Sequence, residues 1–230
     1  MTDAVFSFRF FIATFGCKVS QYESQALREH WTRLGGRETD DAALADVLLI
    51  ASCAVTAEAV ADARQTARKW GRAVPSACIV VTGCAASAAP GDFSLPGVVA
   101  VVPQIRKADL LQLHPLELTG EKGRNFAPPR ASAGVGQKPA GREFPPFRIE
   151  GFRRARPVLK VQDGCSHRCS YCIVPLTQGA VAQSSARPGG GRSAPPAGGR
   201  TPRNHGIGHQ SAPVPRRRFQ LLGIAASLES

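Results

Sequence analysis

The sequence predicts an α/β protein whose first part is an open parallel sheet. Apolar runs alternate with helical stretches over the first 115 residues, in the rhythm of repeated strand–helix–strand units. The run Asp46–Ala51 (Asp-Val-Leu-Leu-Ile-Ala) is apolar almost throughout, as in strands that a parallel sheet buries on both faces. Three of the predicted strands are each followed by a loop with one cysteine.

The first half of this domain contains two predicted strands and one predicted helix. Phe6–Phe15 forms the first strand, and Asp46–Ala51 forms the second. Gln21–Leu34 lies between them and predicts a helix, with Ser20 as a candidate N-cap. The pair Gly35-Gly36 ends this helix, because glycine favours the backbone turn that follows a helix.

The second half adds a helix and two strands, and then a final helix. Thr56–Trp70 predicts a helix with the acidic Glu58 in its first turn and basic residues in its last, which suits the helix dipole. Gly71 follows and is expected to end it. The remaining predicted elements are the strands Cys78–Thr82 and Val98–Val102 and the helix Ile105–Leu113.

Three cysteines follow predicted strands at the places where a parallel sheet binds ligands. Cys17, Cys53 and Cys84 come after the first, second and third strands. Ligands bind beyond the carboxyl ends of strands in open α/β sheets, so we expect these three loops to converge. Gly16 and Gly83 precede two of the cysteines, where a tight turn or close backbone approach is useful. Cysteines are also commonly buried for packing alone, which leaves a structural alternative open.

A second set of cysteines lies close together in sequence. Cys165, Cys169 and Cys172 have the spacing Cys-x3-Cys-x2-Cys. Three thiolates on one loop can hold three irons of a cubic iron–sulfur cluster and leave the fourth iron open to a substrate or cofactor. The alternatives are three unrelated thiols or a structural zinc site, which usually needs a second Cys or His pair. His205 and His209 lie downstream, in a stretch rich in glycine and proline that predicts no fold.

The composition favours a reducing compartment. The 230 residues include seven cysteines, an odd number, and Cys78 is expected to be a small buried hydrophobe inside a strand. The chain opens with Met1-Thr-Asp-Ala, which has an acid where a signal peptide carries basic residues. No apolar run approaches the length that spans a bilayer. We therefore expect a cytoplasmic protein without a membrane partner, in which clustered cysteines bind metal.

The positive charge is concentrated in the second half of the chain. The net charge is +12, but residues 1–118 hold 11 Lys or Arg against 12 Asp or Glu. Residues 119–230 hold 18 against 5. A basic half beside a neutral domain favours a nucleic-acid partner. A basic linker with an artefactual tail explains the same charge distribution.

Taken together, the two cysteine sets resemble those of the tRNA methylthiotransferases, a radical S-adenosylmethionine family. The Gly-Cys-Lys-Val form of the first motif is similar to the branch that acts on N6-threonylcarbamoyladenosine at position 37 of tRNA. The resemblance covers residues 8–178. The matching stretches are Thr14–Ser24, Ala51–Glu58, Val80–Cys84 and Val158–Thr177.

The resemblance implies two 4Fe–4S clusters and S-adenosylmethionine as cofactors. Cys165, Cys169 and Cys172 would hold the cluster that cleaves S-adenosylmethionine to a 5′-deoxyadenosyl radical, which takes hydrogen from C2 of the adenine. An auxiliary cluster would carry the sulfur, and a second S-adenosylmethionine would supply the methyl group. The implied partners are the tRNA substrate and an electron donor of the flavodoxin or ferredoxin type, with the protein as a monomer. The auxiliary ligands would be Cys17, Cys53 and Cys84.

Three neighbours of the auxiliary ligands depart from the pattern of the family. Ser20 replaces the usual asparagine, and Ala51-Ser52 replaces Asn-Thr before Cys53. The usual glutamine is absent from Ala85-Ala86-Ser87. No ligand is lost, but residues that tune a metal site lie in its surroundings as well as among its ligands.

The resemblance and the composition together predict five segments. The first is the auxiliary-cluster domain, followed by a Pro/Gly-rich linker and by the first strand, Pro157–Gln162, and cluster loop of a radical (β/α) barrel. After these come a disordered, frameshifted stretch and a short helical end. The bounds of the five segments are 1–118, 119–150, 151–178, 179–218 and 219–230.

The frameshift is inferred from residues 181–218, which contain no acidic residue and almost no apolar periodicity. When the reading frame is advanced by one nucleotide, the codons permitted for Gly179–Ser185 can encode Gly-Arg-Ser-Arg-Ser-Arg. In the same frame, those permitted for His209–Pro215 can encode Ile-Asn-Leu-Arg-Gln-Tyr. Both strings resemble segments that follow the cluster loop in this family.

Because most of the barrel is therefore missing, we expect the 230-residue chain not to catalyse the methylthiolation. Two alternatives stay open: an iron–sulfur-binding fragment without transferase activity, and an RNA-binding module that uses the basic tail.

Overall fold

The structure, a computed structural model, describes residues 7–119, 144–151, 158–167, 169–183 and 205–207. The chain divides into two units, Met1–Gln137 and Lys138–Ser230. Within the described stretches, no helix combines the length and the apolar character needed to cross a membrane.

A five-stranded parallel sheet forms the centre of the first unit, which confirms the predicted α/β class. The strand order is β2-β1-β3-β4-β5, and every neighbouring pair is parallel. Four of the strands were predicted to within two residues at each end; the short edge strand β2 was not. The strands are Phe8–Thr14 (β1), Gly36–Glu38 (β2), Val47–Ser52 (β3), Cys78–Gly83 (β4) and Val98–Pro103 (β5).

Helices follow the strands in the expected alternation. The α-helices of this unit are Lys18–Arg33 (α1), Ala57–Ala73 (α2) and the short Cys84–Ala88 (α3), which the sequence did not predict. The helix predicted over Ile105–Leu113 is a 3₁₀ helix, Gln104–Leu111. Further 3₁₀ turns lie at Ala42–Leu44, Pro90–Phe93 and Pro115–Thr119.

Two adjacent phenylalanines of β1 show that helices cover both faces of the sheet. The Phe10 ring packs edge-on against Trp31 of α1, with 5.4 Å between centroids. The Phe11 ring packs in the same way against Trp70 of α2, at 5.5 Å. Successive side chains of a strand point to opposite faces, so α1 and α2 lie on opposite sides. The α2 side contains the buried strand residues Leu48, Ile50, Ile79 and Val81.

Two predicted helix boundaries were wrong, and one was right. Helix α1 begins three residues before the predicted start, so Ser20 lies inside its first turn and Cys17 is the N-cap residue. Gly35 does follow the end of α1, with φ +86°. Gly71 does not end α2, which continues to Ala73. A Cβ on Gly71 would meet the carbonyl oxygen of Pro96, so this glycine permits close packing within the domain.

The second unit contains short paired strands around the cysteine loop. Its strands are Val158–Lys160 (β6), Gln162–Asp163 (β7), Ala182–Gln183 (β8) and His205–Ile207 (β9), and its helix is Val174–Gln178 (α4). Strand β6 pairs in parallel with β9, and β7 pairs antiparallel with β8. Both β8 and β9 fall in the segment 179–218, for which the composition predicts no folded core. The predicted helical end, 219–230, lies outside the described residues.

Candidate metal centres

The carboxyl ends of β1, β3 and β4 lie side by side at one edge of the sheet. Thr14 of β1 is paired with Ala51 of β3, and Ser52 is paired with Gly83 of β4. The strand order reverses between β1 and β3, which makes this the switch point where open α/β sheets bind ligands. The cysteines that follow these strands are named here the edge trio: Cys17, Cys53 and Cys84.

Within the edge trio, Cys17 and Cys53 contact each other through their thiols. Gly16, with φ +96°, lies directly against Cys53: a Cβ on Gly16 would meet the Cys53 Cβ and would lie 2.6 Å from its Sγ. Positive φ and absence of space both require glycine here. The conformation of Gly16 therefore brings the loop of Cys17 onto the end of β3.

The two thiols of this pair differ in acidity. The hydrogen bond from the Cys53 thiol lowers the pKa of Cys17 to about 5, although burial opposes this shift. Ser20 contributes in the same direction, with its Oγ 3.8 Å from the Cys17 Sγ. The same hydrogen bond and burial raise the pKa of Cys53. The hydrogen bond thus favours the thiolate form of Cys17 and the thiol form of Cys53.

The third residue of the edge trio begins a helix instead of lying in an extended loop. Cys84 is buried and is the first residue of α3. Gly83 before it has φ +109°, and a Cβ there would meet the carbonyl oxygen of Ser52. Cys78 lies at the opposite end of β4, is half-buried, and has a pKa raised by burial and by the Asp46 carboxylate.

A serine hydroxyl joins the strand ends that carry Cys53 and Cys84. The Ser52 Oγ donates to the Thr82 carbonyl at 2.7 Å and accepts from the Ala86 backbone N–H at 3.2 Å. All three residues are buried. Ser52 stands where the family usually has threonine, which carries the same hydroxyl group. Sequence reasoning noted the position but gave no role to the hydroxyl.

The cysteines of the second unit lie on one loop, here called the loop trio: Cys165, Cys169 and Cys172. Cys165 is buried, and its backbone N–H donates to the Gly179 carbonyl at 3.1 Å. Cys169 is exposed and Cys172 is half-buried, with the Cys172 N–H donating to the Cys169 carbonyl at 3.1 Å. Gly164 has φ +70°, and a Cβ there would lie 2.6 Å from the Gly179 carbonyl oxygen. The loop is thus closed at its base by backbone contacts.

A buried ion pair supports the strand that leads into this loop. Lys160 of β6 and Asp163 of β7 have Nζ and Oδ1 2.5 Å apart, with side chains 1% exposed. The Lys160 Nζ also lies 5.9 and 5.6 Å from the ring centroids of Phe144 and Phe147. Attraction between a cation and aromatic faces offsets part of the cost of burying the ammonium.

Neither trio is gathered into a metal-coordinating arrangement in the structure. Among the residues that the structure describes, no three Cys, His, Asp or Glu side chains lie together as a metal-binding group. What fits an iron–sulfur cluster is the donor chemistry: cysteine thiolates are its protein ligands. The histidines that bear on the zinc alternative are not placed: the side chain of His205 and all of His209 lie outside the described part of the chain.

Known proteins are similar to this sequence over most of its length. The model of the uncharacterized protein family UPF0004 matches residues 9–102, which span β1 to β5. A threonylcarbamoyladenosine tRNA methylthiotransferase MtaB of Chlamydia pneumoniae is 35% identical over 192 residues, or 82% of this chain and 39% of the relative. The protein of the same name from Bacillus subtilis is 31% identical over 168 residues, or 72% and 36%.

Relatives named for another nucleoside are also similar. A tRNA-2-methylthio-N(6)-dimethylallyladenosine synthase of Herminiimonas arsenicoxydans is 29% identical over 179 residues, or 74% of this chain and 38% of the relative. The chain spans about two fifths of the length of the relatives it matches. The stretch that the UPF0004 model matches contains the five-stranded sheet. The chain belongs to the MtaB-type methylthiotransferase family.

Proposed function

We propose that the protein serves radical S-adenosylmethionine-dependent methylthiolation of C2 of N6-threonylcarbamoyladenosine at position 37 of tRNA. The observation that carries this proposal is the placement of the edge trio at the switch point of the sheet, in a chain that also has the Cys-x3-Cys-x2-Cys loop. Relatives named for threonylcarbamoyladenosine support this nucleoside, and so does the Gly-Cys-Lys-Val motif.

The two trios would hold two 4Fe–4S clusters with different tasks. The loop trio would hold the cluster that leaves one iron open to S-adenosylmethionine, and the edge trio would hold the auxiliary one. When bound, these groups would supply the radical, the sulfur and the methyl group. The polypeptide supplies their positions and excludes water from them.

The residues of the sheet edge perform three tasks in this scheme. Gly16 and Gly83 let the loops that carry Cys17 and Cys84 approach the end of β3 closely, because a Cβ at either position would meet Cys53 or Ser52. The Ser52 hydroxyl fixes the start of α3 against the end of β3. The low pKa of Cys17 keeps one ligand deprotonated at neutral pH, which metal binding requires.

Iron and sulfide content after anaerobic reconstitution tests the assignment. The unchanged chain should bind about eight irons, and replacement of either trio by alanine should remove about four of them. Cleavage of S-adenosylmethionine to 5′-deoxyadenosine should be lost in the loop-trio variant, because only that cluster has the open iron that binds it.

The matched control is Cys78→Ala, since Cys78 lies at the far end of β4 from the edge trio. This variant should retain all of its iron. Iron content that falls equally in the Cys78 variant and the edge-trio variant would show that the edge trio is not a specific site. One mole of zinc bound per chain, without sulfide, would replace the cluster assignment altogether.

A second candidate function is iron–sulfur binding by this chain without transfer. It is favoured by residues 181–218, whose composition lacks the apolar periodicity of the strands and helices that a barrel requires. Under this candidate the reconstituted chain shows cluster absorbance, but tRNA incubated with it and with S-adenosylmethionine and dithionite gains no methylthio group. Detection of 2-methylthio-N6-threonylcarbamoyladenosine by mass spectrometry of the digested tRNA would eliminate it.

A further inference from the structure

A groove lies along helix α2. It has a volume of about 710 Å³, and Phe15 at the end of β1 forms part of its wall. The helix contributes residues one turn apart on one face, spaced as i, i+3, i+4 and i+7. We call it the α2 groove and define it by Phe15, Gln65, Arg68, Lys69 and Arg72.

The α2 groove concentrates positive charge that the domain leaves unbalanced. Arg68, Lys69 and Arg72 are exposed, and none of the three has an ion pair or hydrogen bond within the described residues. Asp62, at the end of the groove, is the one acidic residue that lines it. By contrast, the neighbouring Arg64 pairs with Asp92 at 3.2 Å.

This arrangement costs the isolated helix free energy. Like charges three and four residues apart on a helix repel each other, and here Arg72 stands at those spacings from both Lys69 and Arg68. The repulsion is relieved when an anion with several charges occupies the groove. A polyanion with regularly spaced charges fits this face better than one small anion does, because the three cations spread over more than one turn.

Phe15 adds an aromatic side chain to the cations. It packs against the core on the α2 side and is half-buried. Grooves that bind single-stranded nucleic acid combine cations for the backbone with aromatic rings for the bases. Phe15 is followed directly by Gly16 and by Cys17 of the edge trio, so one wall of the α2 groove is adjacent in sequence to a proposed cluster ligand.

We propose that the α2 groove binds the phosphate backbone of RNA, with Arg68, Lys69 and Arg72 contacting phosphates and Phe15 contacting a base. The choice of RNA as the occupant rests on the proposed function, and the site itself rests on the charge and shape of the groove. Its role is to hold the substrate strand on the face of the domain that carries Phe15.

Charge reversal inside and outside the groove tests the proposal. The groove variant is Arg68→Glu/Arg72→Glu, and the matched control is Arg33→Glu/Arg37→Glu, two exposed arginines of the same domain that lie outside the groove. Both variants change the net charge equally, and both retain the basic second half of the full chain. Binding of a fluorescein-labelled RNA anticodon stem–loop is measured by anisotropy over a range of salt concentrations.

We expect the groove variant to bind about tenfold more weakly at low salt, and the slope of log Kd against log salt to fall by about 2. The control should bind within about twofold of the unchanged chain. Phe15→Leu, which keeps the apolar packing, should weaken binding while it leaves the salt slope unchanged, because a leucine cannot stack on a base. Far-UV circular dichroism establishes that all variants are folded.

Two results would overturn the proposal: equal weakening in groove variant and control, or no weakening in either. Competition by poly-glutamate as effective as that by RNA would assign the groove to an acidic protein instead. The proposed function fails separately, through the iron content and 5′-deoxyadenosine yield of the same preparations. A chain that binds no cluster but loses RNA affinity on groove reversal would keep this inference and refute the other.

Discussion

Glu23 and Lys107 form an ion pair inside the first unit, with 3.0 Å between the Glu23 Oε2 and the Lys107 Nζ. Their side chains are 1% and 0% exposed. The Gln104 side-chain amide also donates to both carboxylate oxygens of Glu23, at 3.1 and 2.9 Å. This network ties α1, which starts next to Cys17, to the 3₁₀ helix that follows β5. It therefore holds α1 in place, and α1 begins directly after Cys17 of the edge trio.

Breaking this pair from one side should destabilise the domain strongly. Lys107→Met leaves the Glu23 carboxylate buried without its cation, and we expect a loss of about 3–5 kcal/mol in the free energy of unfolding. Urea denaturation followed by circular dichroism measures it. The double variant Glu23→Leu/Lys107→Met should lose less than Lys107→Met alone, since it leaves no uncompensated charge.

The control for the buried pair is Arg106→Met, which removes an exposed ion pair to Asp109 one turn away. Exposed pairs of this kind contribute about 0.2–1 kcal/mol. If Lys107→Met costs no more than this control, the buried network does not hold α1 in place.

Gly16 should be irreplaceable for the edge trio. Gly16→Ala introduces a Cβ into the space of the Cys53 side chain at φ +96°, which L-residues rarely adopt. We expect a stability loss of about 1–3 kcal/mol from the backbone strain, with the clash added to it. Iron bound by the edge trio should fall, while the loop trio retains its iron. Gly91→Ala is the control, because a Cβ there meets nothing within 4 Å; similar iron loss in both variants would contradict this account.

Removal of the Ser52 hydroxyl should loosen α3. Ser52→Ala leaves the buried Ala86 N–H and Thr82 carbonyl each without this partner, and we expect a loss of about 1–3 kcal/mol. Ser52→Thr should restore most of it, because threonine provides the same hydroxyl. Thermal unfolding of the three proteins measures the differences, with the exposed Ser94→Ala as control. Equal melting temperatures for all of them would show that the bridge contributes nothing.

The edge trio should titrate unevenly in the metal-free chain. The folded state lowers the pKa of Cys17 from 9.0 to about 5, so its thiolate stabilises the fold fully above pH 9 and this contribution is lost as the pH falls toward 5. Carboxamidomethylation of Cys17, quantified by mass spectrometry, should therefore rise with a midpoint near pH 5. Cys78, whose pKa burial and Asp46 raise, should react only at alkaline pH.

The cause of this acidity can be tested with one variant. Cys53→Ala removes the thiol that donates to Cys17, so the midpoint for Cys17 should move up toward its ordinary value. A midpoint that stays near pH 5 would assign the shift to Ser20, and identical profiles for Cys17 and Cys78 in the unchanged chain would exclude the thiol hydrogen bond.

The sheet was predictable because its central strands are continuous apolar runs. Asp46–Ala51 and Cys78–Thr82 were predicted, and the strands found, Val47–Ser52 and Cys78–Gly83, differ by one residue at their ends. The strand-end rule then predicts from the sequence alone that Cys17, Cys53 and Cys84 lie near one edge of the sheet.

Elements without an apolar pattern could not be predicted. Strand β2 is Gly-Arg-Glu and exists through its parallel pairing with β1. Helix α3 is five residues long, too short for a periodic signal, and the Ser52 hydroxyl bonds its backbone from another strand. The thiol contact at Cys53 likewise depends on the backbone of Gly16, because sequence shows a glycine but not its φ.

The ion pair between Lys160 and Asp163 should stabilise the strands that lead into the loop trio. Their buried ion pair joins β6 to β7 immediately before Cys165, and two phenylalanine rings face the ammonium. Lys160→Met leaves the Asp163 carboxylate buried without this cation, so the β6–β7 segment should open more often. Hydrogen exchange of the backbone amides of residues 158–165 should accelerate by at least about tenfold, while β3 exchanges as before. The exposed Arg148→Met is the control within the same unit. Unchanged exchange in Lys160→Met would show that the loop is held by its backbone bonds alone.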